Sequence, residues 1–235
     1  MDTRRPFWVD ALILILAGGL FAAMIGLGNW QMHRLAWKLD LIEQVQTLAF
    51  GDPVPAPTAP DTPEYLRVQA RGTFDHSAAI RIKAVTEAGA GFWVMTPLQT
   101  ADQTIWINRG FVPSGLDSDD WTQPGGQVQV TGLVRADQPG GTLLESNKPG
   151  ENRWVSADLT VMSNAAHIGN AQLGYFIDDE ADGGADVWPR GGLTRIEFRN
   201  SHLAYAITWY AMALMFFAAI VGVTWSRIKG RRINA

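Results

Sequence analysis

The chain has 235 residues, of which 47% are hydrophobic, and it is long enough for one sizeable domain or two small ones. The absence of cysteine excludes disulfides, thiolate copper sites, covalent CxxCH haem attachment and thiol–disulfide exchange. The formal net charge is −4, and residues 31–202 alone carry −8, which argues against a nucleic-acid partner because such partners need a basic surface.

Two apolar blocks stand near the ends of the chain. Residues 11–30 and 203–226 contain 20 and 24 consecutive uncharged residues. At about 1.5 Å per residue, each block covers the roughly 30 Å hydrocarbon core of a bilayer. Both are therefore predicted to be transmembrane helices. A cleaved signal peptide is the alternative for the first block, but its apolar core is long and no convincing small-x-small cleavage site precedes Asn29.

The basic residues that flank these blocks lie on their terminal sides. Arg4 and Arg5 precede the first block, and Arg227, Lys229, Arg231 and Arg232 follow the second. Positive flanks stay in the cytoplasm. We therefore expect residues 1–10 and the basic tail 227–235 to be cytoplasmic and the middle of the chain to be periplasmic.

The residues after the first block predict a helix and then an extended segment. Apolar residues recur at helical spacing through residues 31–50, which indicates that the first helix continues beyond the bilayer. Prolines at positions 53, 55, 57, 60 and 63 exclude helix from residues 51–63. This stretch is predicted to be an extended, polyproline-type spacer.

Residues 64–200 contain several stretches in which apolar and polar residues alternate, which predicts a β domain with one face exposed to water. Apolar and polar residues alternate at 66–71, 80–83, 127–130 and 195–199, and GFWVMTPL and TIWINRGFV add two strands separated by TADQ. Only residues 158–168 look helical, with Asp158 as the cap. The predicted fold class is membrane-anchored α+β: two transmembrane helices flank a mainly antiparallel β domain, for which a small barrel is one arrangement.

The sequence lacks the usual signatures of an enzyme. It contains no G-x-S-x-G, no nucleotide-binding glycine loop and no H-E-x-x-H. Its four histidines are scattered singly, so they form no local zinc motif. We expect the protein not to be an enzyme.

His202 stands at the start of the second apolar block and has aromatic neighbours. Tyr205, Ala206 and Trp209 follow it at helical spacing and share its face. One interpretation is a ligand for the metal of a flat apolar ring, with Ala206 leaving room for the ring. The other is an interfacial histidine within an aromatic belt, which membrane helices commonly show. The residues alone leave both open.

Several motifs in order along the chain resemble the Surfeit locus (Surf-one) family. Near the first block, LGNWQMHRLAWKLDLI is similar to the family's W-Q-x-x-R-x-x-W-K-x-x-L-I. RGTFDH, GFWVMTPL, INRGFVP and SNKPGENRW resemble segments of its central domain. GGLTRIEFRNSHLAYAITWY is the most specific match and contains His202. The resemblance covers the chain from about Leu27 to Trp225.

The resemblance implies an assembly factor for cytochrome c oxidase, with the oxidase catalytic subunit, other assembly factors and the lipid bilayer as partners. It implies binding of haem a, with His202 as the iron ligand beside Tyr205 and Trp209. Arg34, Arg195 and Arg199 would pair with the propionates. His33, which the family pattern does not require, is a candidate second axial ligand. The lack of a mitochondrial-type presequence favours a bacterial inner membrane. A scaffold that grips an oxidase subunit without haem is the alternative function.

Overall fold

The computed structural model describes residues 6–117, 120–142, 145–181, 184, 187–194, 196 and 198–233. The chain divides into a helical unit, Met1–Glu43 with Glu197–Ala235, and a β unit, Gln44–Ile196.

Two long helices dominate the helical unit. Helix α1 runs without interruption over Phe7–Phe50, so that residues 11–30 and 31–50 form one helix, and helix α3 covers His202–Ile233. Both are long and apolar enough to cross a membrane, and only 6% and 11% of their apolar windows are buried. Such exposure is unlike the core helix of a soluble protein and suits a helix whose surface meets lipid.

The two helices pack antiparallel within this unit. The rings of Phe21 and Phe217 lie 5.9 Å apart, and Asp10 pairs with Arg227 at 3.5 Å. The small side chains of α3 that lie buried in the unit are Ala206 and Ala213, each 1% exposed. Small residues allow two helix backbones to approach closely, which is how apolar helices associate in a membrane.

The β unit is a small barrel. Its strands are β1 (Val54–Pro55), β2 (Arg67–Phe74), β3 (Ile80–Thr86), β4 (Gly89–Gln99), β5 (Thr104–Pro113), β6 (Gln127–Ala136) and β7 (Tyr175–Asp179). Their order is β1-β2-β6-β7-β5-β4-β3, and a further pairing of β2 with β4, Thr73 with Gln99 and Phe74 with Leu98, closes five of them into a barrel. Only β1–β2 and β5–β7 are parallel among the named strand pairs.

The interior of the barrel is filled by side chains. One buried cluster contains Val68, Leu98, Ile107, Tyr175 and Ile177. A second cluster forms where helix α2 (Leu159–Ala165) packs over Trp106, whose Nε1–H donates to Ser163 Oγ at 2.9 Å. The Asp158 side chain caps α2 by accepting from Val161 N, as the sequence predicts.

The alternating pattern predicts β2, β3 and β6 correctly, and the two apolar stretches around TADQ form the β4–β5 hairpin. The strand expected at 195–199 is wrong for the described residues: Ile196, Phe198 and Arg199 belong to no strand. The five barrel strands pair with one another all the way round, so the wall of the barrel has no open edge at which this stretch could pair. Strand β7 does not alternate, because it lies between β6 and β5 with four successive residues buried.

Residues 51–63 are extended but form part of the β unit. Val54 and Pro55 pair with β2 in parallel, and Ala56 N donates to Gln69 O at 2.9 Å. Gln103 and Gln172 donate to the carbonyl oxygens of Pro57 and Thr58, each at 3.0 Å. The spacer expected from the prolines is therefore a strap that lies along the barrel, because its carbonyl groups find donors there.

Candidate functional site

The first turn of α3 holds His202 against α1. The backbone N–H of His202 donates to Asn200 Oδ1 at 3.3 Å, which caps the start of the helix. His202 Nδ1 lies 2.8 Å from Gln31 Oε1. Since a carbonyl oxygen only accepts hydrogen bonds, Nδ1 carries the proton in this contact. In the neutral ring, Nε2 then presents its lone pair.

A second polar contact, about two turns further along α3, fixes how the helices face each other. Tyr210 OH donates to Asn29 Oδ1 at 2.8 Å. Gly28 lies under the tyrosine ring, so close that a Cβ at this position would stand 2.5 Å from Tyr210 Cε1. The close fit of the tyrosine ring against Gly28 holds the two helices together near the contact of His202 with Gln31.

Aromatic and cationic side chains surround this end of the helical unit. The Arg34 guanidinium lies 5.8 Å from the ring centre of Trp30 and 5.4 Å from that of Trp37. Lys38 Nζ stands 4.9 Å from the Phe198 ring. Tyr205 is exposed and Trp209 half-buried. Such a belt is typical of a membrane interface.

The β unit carries a separate polar cluster beside a cavity of about 260 Å³. Asp178 accepts from Asn108 Nδ2 at 2.9 Å, from Thr194 Oγ1 at 2.7 Å and from Arg135 Nη1 at 3.3 Å. Burial acts to lower the pKa of Arg135, but the carboxylates of Asp178 and Glu64 outweigh burial and raise it. The groups of this cluster satisfy one another, which is the pattern of a structural network.

Comparison with known proteins identifies the family. A sequence model described as "SURF1 family" matches residues 19–214. Human "Surfeit locus protein 1" is 34% identical over 230 residues, covering 88% of this chain and 73% of the human one. The mouse protein of the same name is 35% identical over 214 residues, with 81% and 69% covered. "SURF1-like protein" of Monosiga brevicollis is 32% identical over 231 residues, with 86% of each chain covered.

This chain belongs to the SURF1 family.

The SURF1-family fold brings some of the predicted site residues together. His202, Tyr205 and Trp209 share α3, and Arg34 lies in the aromatic belt of α1. Arg199 is exposed just before α3, and Arg195 lies outside the described residues.

His33 is not placed beside His202. It follows Gln31 by two residues, which is a rotation of about 200° around α1. Its Nδ1 lies 2.8 Å from Asn29 O on its own helix, and the side chain is exposed. Because Gln31 faces α3, His33 points to the other side of α1.

The residue that sequence reasoning missed is Gln31. It is 9% exposed, follows directly after the predicted membrane span 11–30, and is the hydrogen-bond partner of His202. A buried polar side chain at the edge of a membrane span is costly unless it has a partner. The position of Gln31 was an available signal, but only the packed helices show that it is buried and which residue is its partner.

Proposed function

We propose that this SURF1-family protein is a membrane-anchored assembly factor for haem-copper oxidase, which binds haem a through His202 and assists haem insertion into the catalytic subunit. The observation that carries the proposal is the contact of His202 Nδ1 with Gln31 Oε1 at 2.8 Å. Histidines that ligate metals usually donate their other N–H to an oxygen, which fixes the ring and raises its basicity. Gln31 does this for His202.

The donor set suits haem better than a bare metal ion. Among the described residues, no group of three or more His, Cys, Asp and Glu side chains could hold a metal ion. A single imidazole holds a metal well when the metal arrives with most of its coordination already filled, as haem iron does. His202 would hold such a group through Nε2, and the haem would supply the iron that this nitrogen binds.

The surroundings of His202 suit a large apolar ring. Exposed Tyr205 and half-buried Trp209 lie on its helix face, whereas the barrel interior is filled by buried side chains. Arg34 on α1 and Arg199 just before α3 would supply positive charge for propionates, and Arg195 precedes Arg199 by four residues in the sequence. We therefore place the haem site on the helices.

Haem spectra of purified variants test this proposal. The full chain, purified from cells that make haem a, should carry haem, and His202→Ala should lose it while remaining inserted. Gln31→Ala should weaken haem binding by about 10–100-fold, the usual cost of losing the outer partner of a metal ligand.

His33→Ala is the matched control. His33 lies two residues after Gln31 on α1 but on the face of the helix away from α3. Its removal should therefore leave the haem content unchanged. Full haem with an unaltered spectrum in His202→Ala would contradict the ligand assignment, and loss of haem in His33→Ala would assign His33 as the second axial ligand.

The second candidate function is a scaffold that holds an oxidase subunit without haem. An open groove of about 620 Å³ in the β unit favours it, since Trp93, Phe111, Trp188 and Leu193 line the groove. Val85, also in this lining, is 87% exposed. Capture of the oxidase catalytic subunit by the His202→Ala variant at parental yield, together with a parent protein that carries no haem, would favour this function.

We propose a bacterial inner-membrane location with both termini in the cytoplasm and the β unit in the periplasm. The antiparallel helices support a common side for the termini, because Asp10 and Arg227 meet at one end of the pair. The basic flanks support the cytoplasm as that side. A reporter after residue 235 should be cytoplasmic, and one inserted in the 180–186 loop periplasmic. Protease cleavage of that loop from the cytoplasmic side would refute this topology.

A further inference from the structure

A cavity of about 230 Å³ in the β unit is lined by basic groups. Arg81 of β3, Arg109 of β5, His76 and Trp121 contribute to its wall, and no carboxylate is among its described lining residues. The segment 31–202 carries a net charge of −8. The positive charge of this cavity wall is therefore opposite in sign to the net charge of the segment that contains it.

Arg109 is a buried cation that contacts no carboxylate in the part of the chain that the structure describes. The residue is 8% exposed. Its Nη2 donates to Thr122 O, and its guanidinium lies 5.2 Å from the centre of the Phe74 ring. Among the described residues, no carboxylate oxygen comes within the 4.0 Å of an ion pair, although Asp179 lies near enough to act on Arg109 electrostatically. A buried charge is normally paired with an opposite charge. The Arg109 guanidinium is therefore a candidate binding group for an anion.

Trp121 adds an unused donor to the same wall. Its Nε1–H is buried and has no acceptor among the described residues. An indole nitrogen can only donate. A buried donor without a partner is uncommon in native proteins and requires an explanation, such as an ion bound at that point.

The two remaining polar groups are consistent with an anion in the cavity. His76 Nε2 lies 3.0 Å from Pro124 O and therefore carries a proton there, so the ring orientation is fixed. Arg81 is exposed, with its guanidinium 5.3 Å from the Phe92 ring. Arg81 lies on the solvent side of the cavity and Arg109 lies inside it. An anion that enters the cavity from solvent would therefore meet positive charge at its mouth and at its inner end.

We propose that this cavity binds a phosphate group, with Arg109 and Trp121 as the inner donors and Arg81 as the outer one. Phosphate carries up to about two negative charges at neutral pH, which matches the two guanidinium groups, and its oxygens accept several hydrogen bonds. The source is either free phosphate or the headgroup of a phospholipid. The site is separate from His202 and does not depend on the haem proposal.

Thermal unfolding of the full chain in detergent micelles tests the site. Sodium phosphate, titrated at constant ionic strength against sodium chloride, should raise the unfolding temperature and reach saturation. Trp121→Phe and Arg81→Gln should each raise the half-saturating phosphate concentration by about tenfold, because each loses one hydrogen bond to a charged group. Both changes avoid the buried Arg109, so the variants should fold.

The matched control is Arg71→Gln. Arg71 is an exposed arginine of β2 that donates to Gln129 Oε1 at 2.9 Å, and it is not part of the cavity wall. Its removal should leave the phosphate response unchanged. Short-chain phosphatidic acid distinguishes the sources: saturation at a lower concentration than phosphate identifies a lipid headgroup, and saturation at a similar one identifies free phosphate.

Two outcomes would overturn the proposal. The first is no phosphate effect at constant ionic strength. The second is an equal effect in the parent, Trp121→Phe and Arg81→Gln.

Discussion

Replacing Tyr175 by phenylalanine tests whether residues 51–63 are a structural part of the β unit. Tyr175 is fully buried, and its hydroxyl donates to Pro57 O. The same carbonyl accepts from Gln103 Nε2 at 3.0 Å, and Gln172 Nε2 donates to Thr58 O at 3.0 Å. Prolines have no N–H, so the strap offers carbonyl groups that need donors from the barrel.

The expected loss follows from these contacts. Tyr175→Phe removes one hydrogen bond but keeps the ring, so it creates little cavity. Pro57 O retains Gln103 as a donor and is not left unsatisfied, which sets the cost at about 1 kcal/mol. For a domain of this size, that lowers the unfolding temperature by about 2–4 °C.

The substitution should also change the response to alkaline pH. Burial raises the pKa of Tyr175 to about 12, above the ordinary value of about 10. The folded protein therefore holds the phenolic proton more tightly than the unfolded chain does. The parent should lose stability as the pH rises from about 10 to 12, and Tyr175→Phe should lack this part of the loss.

Two measurements check the prediction: thermal unfolding followed by circular dichroism in detergent, and the rate of proteolytic cleavage within residues 51–63. Cleavage should accelerate in Tyr175→Phe. Tyr205→Phe, which removes the hydroxyl of an exposed tyrosine on α3, is the control and should behave as the parent. If Tyr175→Phe is as stable as the parent and is cleaved no faster, the strap contributes nothing and the segment is a spacer.

Three further substitutions test other parts of the structure. Trp106→Phe should lower the free energy of unfolding by about 2–4 kcal/mol, because it opens a cavity and removes the bond to Ser163; a cost below 1 kcal/mol in denaturant unfolding would contradict this. Burial raises the pKa of Asp179, so the folded protein disfavours the carboxylate above about pH 4, and Asp179→Asn should gain stability over the parent from pH 4 to 7. A difference that does not change with pH would refute it. Gly28→Leu should collide with Tyr210 and accelerate amide hydrogen exchange in α3, whereas unchanged exchange would mean that the helices do not pack there.

Local patterns in the sequence predict much of the fold. Alternating residues in β2, β3 and β6 place one face inside the barrel, and that period can be read without knowing the partner strand. Asp158 predicts the start of α2, because an N-cap side chain accepts a hydrogen bond from the backbone of the residues that directly follow it. The pattern of aromatic residues after His202 likewise depends on spacing along one helix.

Gly110 has a positive φ of +119°, and the reason is a long-range one. A Cβ there would stand 2.0 Å from Arg190 O. The sequence shows a glycine that tolerates this backbone, but the close approach of residue 190 is a property of the folded barrel.

The sequence by itself determined the two apolar helices and most of the strands, because each depends on residues close together along the chain. Only the tertiary structure decided which residues meet across it. Gln31 reaches His202 across 171 residues, Tyr175 reaches Pro57 across 118, and β7 is buried because β5 and β6 enclose it. Contacts of this kind depend on the packing of whole elements, and no local periodicity records them.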